Sequence, residues 1–188
     1  MVELRDWQYS KAEWMRLLED KTGDDLDTWN ERIQRMEFQD RQGLSDWLTQ
    51  QGVTGYAQTL LVMERFGYPD FLLTPADKLI DGQYADRPQL RPILYAIISA
   101  VAGFGEVVVQ ARKTYISLVS PRRTFARLQP TTKTRLDLGL RLEGQKPEGR
   151  LQPSTIHETM GLQISLTSVE QVDDEVLRWL RRAYDENC

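Results

Sequence analysis

The chain predicts an α+β protein: a small N-terminal helical bundle followed by an antiparallel sheet flanked by helices. Three observations lead there. Residues 1–70 carry apolar side chains at spacings of three and four, interrupted by glycines, the mark of short amphipathic helices. Between 106 and 142 apolar and polar residues alternate instead, the period of strands whose successive side chains point to opposite faces. An apolar segment before that stretch and an amphipathic one after it supply two helices to cover one face of the sheet.

Taken in order, Ser10-Lys11-Ala12-Glu13 has the form of a capping box, followed by Trp14, Leu17 and Leu18 on one face and by Gly23 as a stop. Asp24 or Asp25 caps a second helix with Leu26, Trp29, Ile33 and Met36 as its stripe. A third runs from Leu44 to Gln51, with Leu44, Trp47 and Leu48 inward and Gly52 beyond. The fourth starts at Thr54 and carries Tyr56, Leu60, Leu61, Met63 and Phe66 to Gly67. Helices this short are not stable alone, so the four pack together. Pro69, Pro75, Gly82 and Pro88 punctuate the next segment, although Thr74-Pro75-Ala76-Asp77 reads as a helix start. The predicted organisation is a helical domain over 1–70, a connector over 71–88, and an α+β domain over 89–188 with about five antiparallel strands.

That second domain opens with an apolar helix over Gln89–Phe104, ended by Gly103 and Gly105. Strands are predicted over Val107–Ala111, Tyr115–Val119, Phe125–Gln129, Thr134–Leu142 and Leu162–Leu166. Ser120-Pro121-Arg122-Arg123 fits a type I turn with Pro at its second position. The densest alternation is Lys133 to Leu142. There Leu136, Leu138, Leu140 and Leu142 line one face, and Arg135, Asp137, Gly139 and Arg141 the other. The expectation is a half-buried strand with a charged outer surface. After a polar Gly/Pro loop over 143–153, Thr167-Ser168-Val169-Glu170-Gln171 caps a last helix burying Val172, Val176, Leu177, Leu180 and Tyr184.

The order of elements and the residues within them resemble a known family. Lys113-Thr114-Tyr115-Ile116-Ser117-Leu118, Phe125-Ala126, Thr132-Lys133-Thr134-Arg135-Leu136-Asp137-Leu138-Gly139-Leu140 and Val172-Asp173-Asp174-Glu175 are similar to a bacterial C-terminal domain family of unknown function, sometimes labelled "predicted transport protein". The first half resembles the short helical domain of unknown function that often precedes it, through Thr22-Gly23, Leu26, Trp29, Trp47-Leu48 and Gly55-Tyr56-Ala57. The resemblance implies a two-part cytosolic protein and brings no catalytic residues with it. That family often has a His near the strand that here begins at Leu162, and this chain departs from the pattern there.

Composition bounds the function. Charged residues make up 28% of the 188 and apolar ones 40%, the balance of an ordinary globular protein. No apolar run reaches the roughly 20 residues of a membrane helix, and Met1 to Trp7 lacks the basic and apolar regions of a secretory signal. Cys188 is the single cysteine. These features point to a reducing, cytoplasmic location with no membrane partner. Charge is divided unequally: 9 Lys/Arg against 17 Asp/Glu in residues 1–86, and 15 against 11 in 87–188. Such a division suggests either mutual docking of the halves or a basic surface for an external anion.

Most chemistries find no support. One histidine, His157, and one cysteine cannot form a His/Cys metal cluster, and Asp24-Asp25-Leu26-Asp27 is better explained as a helix start. A sheet nuclease needs an acid and a lysine two apart on one face of a strand, whereas Glu143 and Lys146 are three apart across Gly144. There is no Gly-x-Ser-x-Gly, and Gly103-Phe104-Gly105 precedes a strand instead of opening a phosphate-binding helix. No cofactor is expected. What remains is a basic sheet surface, with Lys113, Tyr115, Arg122, Arg123, Arg127, Lys133, Arg135 and Arg141 as candidate binding residues and Phe125 as a second aromatic. Sheet faces with aromatics among cations bind single strands by stacking and phosphate contact, but the pI of 5.2 is not that of a dedicated nucleic-acid binder. The favoured expectation is a non-enzymatic cytosolic binding or adaptor protein with a basic face or cleft for an anionic ligand or partner. A nucleic-acid-associated protein is the alternative; an enzyme is the third reading, without residues to recommend it.

Overall fold

The computed structural model describes residues 2–5 and 7–188; Met1 and Asp6, assigned above to the helical domain, lie outside the described residues. The chain forms two compact units, one made of the helices between Trp7 and Leu73, the other of Val2–Arg5 together with Pro75–Cys188. The fold is α+β, a helical N-terminal region followed by a largely antiparallel sheet and a C-terminal helix.

In the helical unit, α1 spans Trp7–Thr22, α2 Leu26–Arg35, α3 Arg41–Gln50, α4 Tyr56–Phe66 and α5 Asp70–Leu73. Local chemistry sets most of these limits. Gly23, at φ +77, ends α1, and Asp25 caps α2 by accepting from the Thr28 amide at 2.8 Å. Asp40 does the same for α3 through the Gly43 amide, which starts that helix one turn earlier than the apolar pattern predicts. The capping box at Ser10 is not used: Ser10 is buried inside α1. Burial of Trp7 explains the shift. Its indole lies edge-on to Trp14 at 5.0 Å and 5.3 Å from Tyr68, so aromatic contact extends the helix upstream of the cap. Trp29, Ile33, Leu44, Leu48, Leu60 and Leu61 complete the core of this unit.

In the sheet unit, the segment read as a connector contributes α6 (Ala76–Tyr84), whose Tyr84 is fully buried in the core. A 3-10 turn at Pro88–Leu90 leads into α7 (Arg91–Val101). The strands are β1 (Val2–Arg5), β2 (Val107–Ala111), β3 (Ile116–Val119), β4 (Thr124–Pro130), β5 (Leu136–Leu140), β6 (Gln152–Pro153) and β7 (Leu162–Leu166), arranged β1-β2-β3-β4-β5-β7-β6. Among the described residues only β1 and β2 run parallel; the other pairs are antiparallel. β1 and β6 are not expected from the sequence. The first is four residues whose partner lies a hundred positions away, and the second is two residues long. The last helix, α8 (Asp174–Asn187), is capped by Asp173 and not by Thr167 or Ser168, which precede a separate 3-10 turn at Val169–Gln171.

Pairing register sorts the side chains into two faces. Ile116, Leu128, Leu138 and Ile164 form one row across four strands, and Leu118, Ala126, Leu140 and Leu162 the next. This inner face meets Ile93, Leu94, Ile97 and Val101 of α7 and Val176, Trp179, Leu180 and Ala183 of α8, two helices on one face, as predicted. Leu177 is only half-buried. The outer face carries the row Gln110, Ser117, Arg127, Gly139, Gln163 and Gln152.

At β5 the outer face is not the charged, solvated surface the alternation suggests. Asp137 and Gly139 are as buried as the leucines between them. The loop before β7 lays Ile156 and Met160 over Gly139, so closely that a Cβ there would sit 2.7 Å from Ile156 Cδ1. Asp137 accepts hydrogen bonds from Ser165 Oγ at 2.6 Å and Arg135 Nε at 3.2 Å, which offsets the cost of taking its carboxylate out of water.

Candidate functional site

Strand direction decides which candidate residues meet. The β2–β3 turn and the β4–β5 turn lie at one end of the sheet and bring Lys113, Tyr115, Lys133 and Arg135 there. The β3–β4 turn and the end of β5 lie at the opposite end, with Arg122, Arg123 and Arg141. Arg127 sits between, in the middle of β4. The eight residues therefore do not form one continuous patch.

At the first end, the guanidinium of Arg127 stacks on the Tyr115 ring, its Cζ 3.3 Å from the centroid. Both are half-buried. Arg127 has no ion-pair partner among the described residues, and its Nε, like the nearby Gln129 Oε1, is buried without a hydrogen bond. Burial lowers the Arg127 pKa, with the Tyr115 hydroxyl acting in the opposite sense. The turn beneath is held from α6: Gln83 Nε2 donates to the Arg112 carbonyl at 2.6 Å and to that of Tyr115 at 3.2 Å. Arg87 fixes the neighbouring turn by donating to the Pro130 carbonyl. Lys113 and Lys133 are exposed and make no ion pair among the described residues. Arg135, by contrast, is matched by Asp137. Phe125 belongs to the core, edge-on to Tyr184 at 5.3 Å.

The other end is built differently. Ser120 Oγ donates to the Asn187 carbonyl at 2.6 Å, and Asn187 Nδ2 donates to the Arg141 carbonyl at 2.9 Å. These bonds tie the β3–β4 turn, the last turn of α8 and the end of β5 together. Arg123 pairs with Glu143 at 3.0 Å, while its Nε is buried without a partner. Arg141 donates through Nε to the Thr159 carbonyl at 3.3 Å. Burial and the adjacent Arg123 lower the Arg141 pKa, and Glu143 raises it. An open pocket of about 400 Å³ lies here, lined by Arg141, Leu142, Glu143, Glu158, Thr159 and Gly161. His157 stands beside it, exposed, with Nδ1 at 2.8 Å from Thr159 Oγ1. Arg122 is exposed. Glu158, Thr159 and Gly161 lie in a loop with no periodicity, so only their position against β5 marks them.

Among the described residues no three His, Cys, Asp or Glu side chains gather in a group able to hold a metal ion. None of their helices is long and apolar enough to cross a membrane.

Comparison with curated proteins finds no match, and comparison with solved structures finds none either. A family of domains of unknown function, DUF5655, matches residues 80–187. That match runs from α6 to the end of α8 and takes in both ends of the sheet described above, more than half of the chain. The chain belongs to the DUF5655 family.

Proposed function

We propose that this chain is a non-enzymatic binding or adaptor protein that receives an anionic ligand or partner on the outer face of its sheet, in a cytoplasmic, bacterial protein of the two-domain type its sequence resembles. One observation carries the reading: the Arg127 guanidinium sits over the Tyr115 ring, its Cζ 3.3 Å from the centroid, half-buried and without an ion-pair partner among the described residues. Partial burial of a cation costs free energy unless an opposite charge or a π face offsets it. Here the ring holds the cation in place and leaves its charge for an incoming anion, for which a planar guanidinium is well shaped. Lys113 and Lys133, exposed at the same end, add attraction at longer range.

A second reading, binding of single-stranded nucleic acid, is favoured by that same cation–aromatic pair beside two exposed lysines. Titration with inorganic pyrophosphate and with a short single-stranded oligonucleotide tests both readings. Arg127→Gln should weaken whichever probe binds by about tenfold, the worth of one charge-assisted hydrogen bond. Oligonucleotide affinity that falls steeply between about 50 and about 200 mM salt supports the second reading. Binding that is indifferent to Arg127→Gln for both probes refutes the site.

A further inference from the structure

We propose that the pocket between the end of β5 and the loop before β7 binds a small zwitterion, a molecule of the free α-amino acid type carrying one carboxylate and one ammonium group. This site is separate from Arg127 and stands or falls independently of the anion-binding reading.

Opposite charges line this pocket without pairing. Arg141 and Glu158 both line the pocket, yet no ion pair joins them; the contact recorded for Arg141 Nε is to a backbone carbonyl. Glu143 Oε1 accepts from Arg123 Nη2, and Glu143 also lines the pocket. A structural ion pair would close such a gap, because opposite charges in contact are favourable wherever solvent is partly excluded. A guanidinium and a carboxylate that line a space of about 400 Å³ without pairing leave room for a ligand that touches both. The balance of sign narrows its class. A simple anion would meet Arg141 but also the carboxylates of Glu143 and Glu158, and a simple cation would meet Arg141 itself. Like charges brought together count against a ligand as much as opposite charges count for it.

Two further features fit. Arg123 lies near enough to Arg141 to act on it, with Glu143 opposing that effect, and a bound carboxylate would add a partner for Arg141 itself. Leu142 offers an apolar wall, and at Gly161 nothing lies within 4 Å of where a Cβ would stand, so a side chain has room to leave the pocket.

The test uses three probes on the full chain, followed by calorimetry and by the amide NMR signals of Arg141, Glu158 and Gly161. L-leucine carries both charges, N-acetyl-L-leucine only the carboxylate, and L-leucinamide only the ammonium. Leucine should bind on the order of tenfold more tightly than either blocked form, since each blocked form leaves one charged group of the pocket unmatched. Arg141→Gln should then weaken leucine and N-acetyl-leucine but not leucinamide. Glu158→Gln, in an exposed loop, should weaken leucine and leucinamide but not N-acetyl-leucine. Equal binding of N-acetyl-leucine and leucine would make this a plain anion or chain-end site and overturn the proposal. So would unmoved pocket amides at millimolar leucine, or variants that leave leucine binding intact.

Discussion

On one side of β5, Leu136, Leu138 and Leu140 meet α7 and α8 in an apolar core; on the other, Asp137 and Gly139 lie beneath Ile156 and Met160. The two sides are buried to the same depth by different means. Regular helices cover the first, and their apolar stripes match the strand's own alternation, so loss of one methyl contact is spread over many neighbours. An irregular loop covers the second, fitted to a residue with no side chain and to a carboxylate bonded by Ser165 and Arg135. Alternation thus reports which side of a strand is apolar. It does not report whether the polar side is wet.

The largest effect is expected on the helix-covered side. Leu138→Asp would place a carboxylate without a partner in the middle of the row Ile116, Leu128, Leu138 and Ile164. Lost packing and charge burial together cost more than about 4 kcal/mol, a large share of the 5–15 kcal/mol that holds a typical domain folded. The variant should lose the cooperative urea transition of the sheet unit. A midpoint close to that of the parent chain would mean that Leu138 is not enclosed between the sheet and the helices α7 and α8.

How far the sequence discloses this molecule follows from the same contrast. β2 and β7 fall where their alternation places them, and Gly23, Asp25 and Gly67 mark helix limits through chemistry local to those positions. What depends on distant residues stays hidden. Trp7 overrides the Ser10 capping box because Trp14 and Tyr68 receive its ring. β1 exists only through Val107–Gln110. The candidate residues show the same limit. All eight are named by type and spacing, yet only strand direction reveals that Arg127 and Tyr115 stack while Arg123 and Arg141 stand at the opposite end. Asp137 reads as a surface charge because Ser165, its partner, is 28 positions away.

An intermediate effect is expected on the loop-covered side. Gly139→Val would drive two methyl groups into Ile156 and Met160, with the first atom already at 2.7 Å and 3.0 Å from them. Forcing side chains off their rotamers in this way costs about 1–3 kcal/mol. Ile156→Ala should recover part of that loss in the double variant, a coupling read directly from urea midpoints. If Gly139→Val is neutral, the loop does not press on β5, and the outer face is as open as the alternation implies.

The smallest effect concerns what joins the two coverings. Arg150, in the segment that runs to the loop over Gly139, donates to Asp173 and Glu175 at the start of α8 and to the Gln171 carbonyl. It holds both carboxyls below their ordinary values of 3.8 and 4.5. A carboxyl that binds its proton less readily when folded adds stability above its unfolded pKa, and that contribution is lost as pH falls through the lowered folded pKa. The Arg150 clamp therefore helps fully at neutral pH and fades below about pH 4.5. All three side chains are substantially exposed, so solvent keeps the contribution modest. Arg150→Ala should lower the melting temperature slightly at pH 7 and should flatten part of its decline between about pH 5 and about pH 3, since both carboxyls lose the partner that lowers them most, while Asp173 keeps the hydrogen bond from the Val176 amide. Parallel melting curves for the two proteins across that range would show that the clamp does not link the helix side to the loop side. In that case each cover is held by its own contacts with β5, and damage to one should leave the other in place.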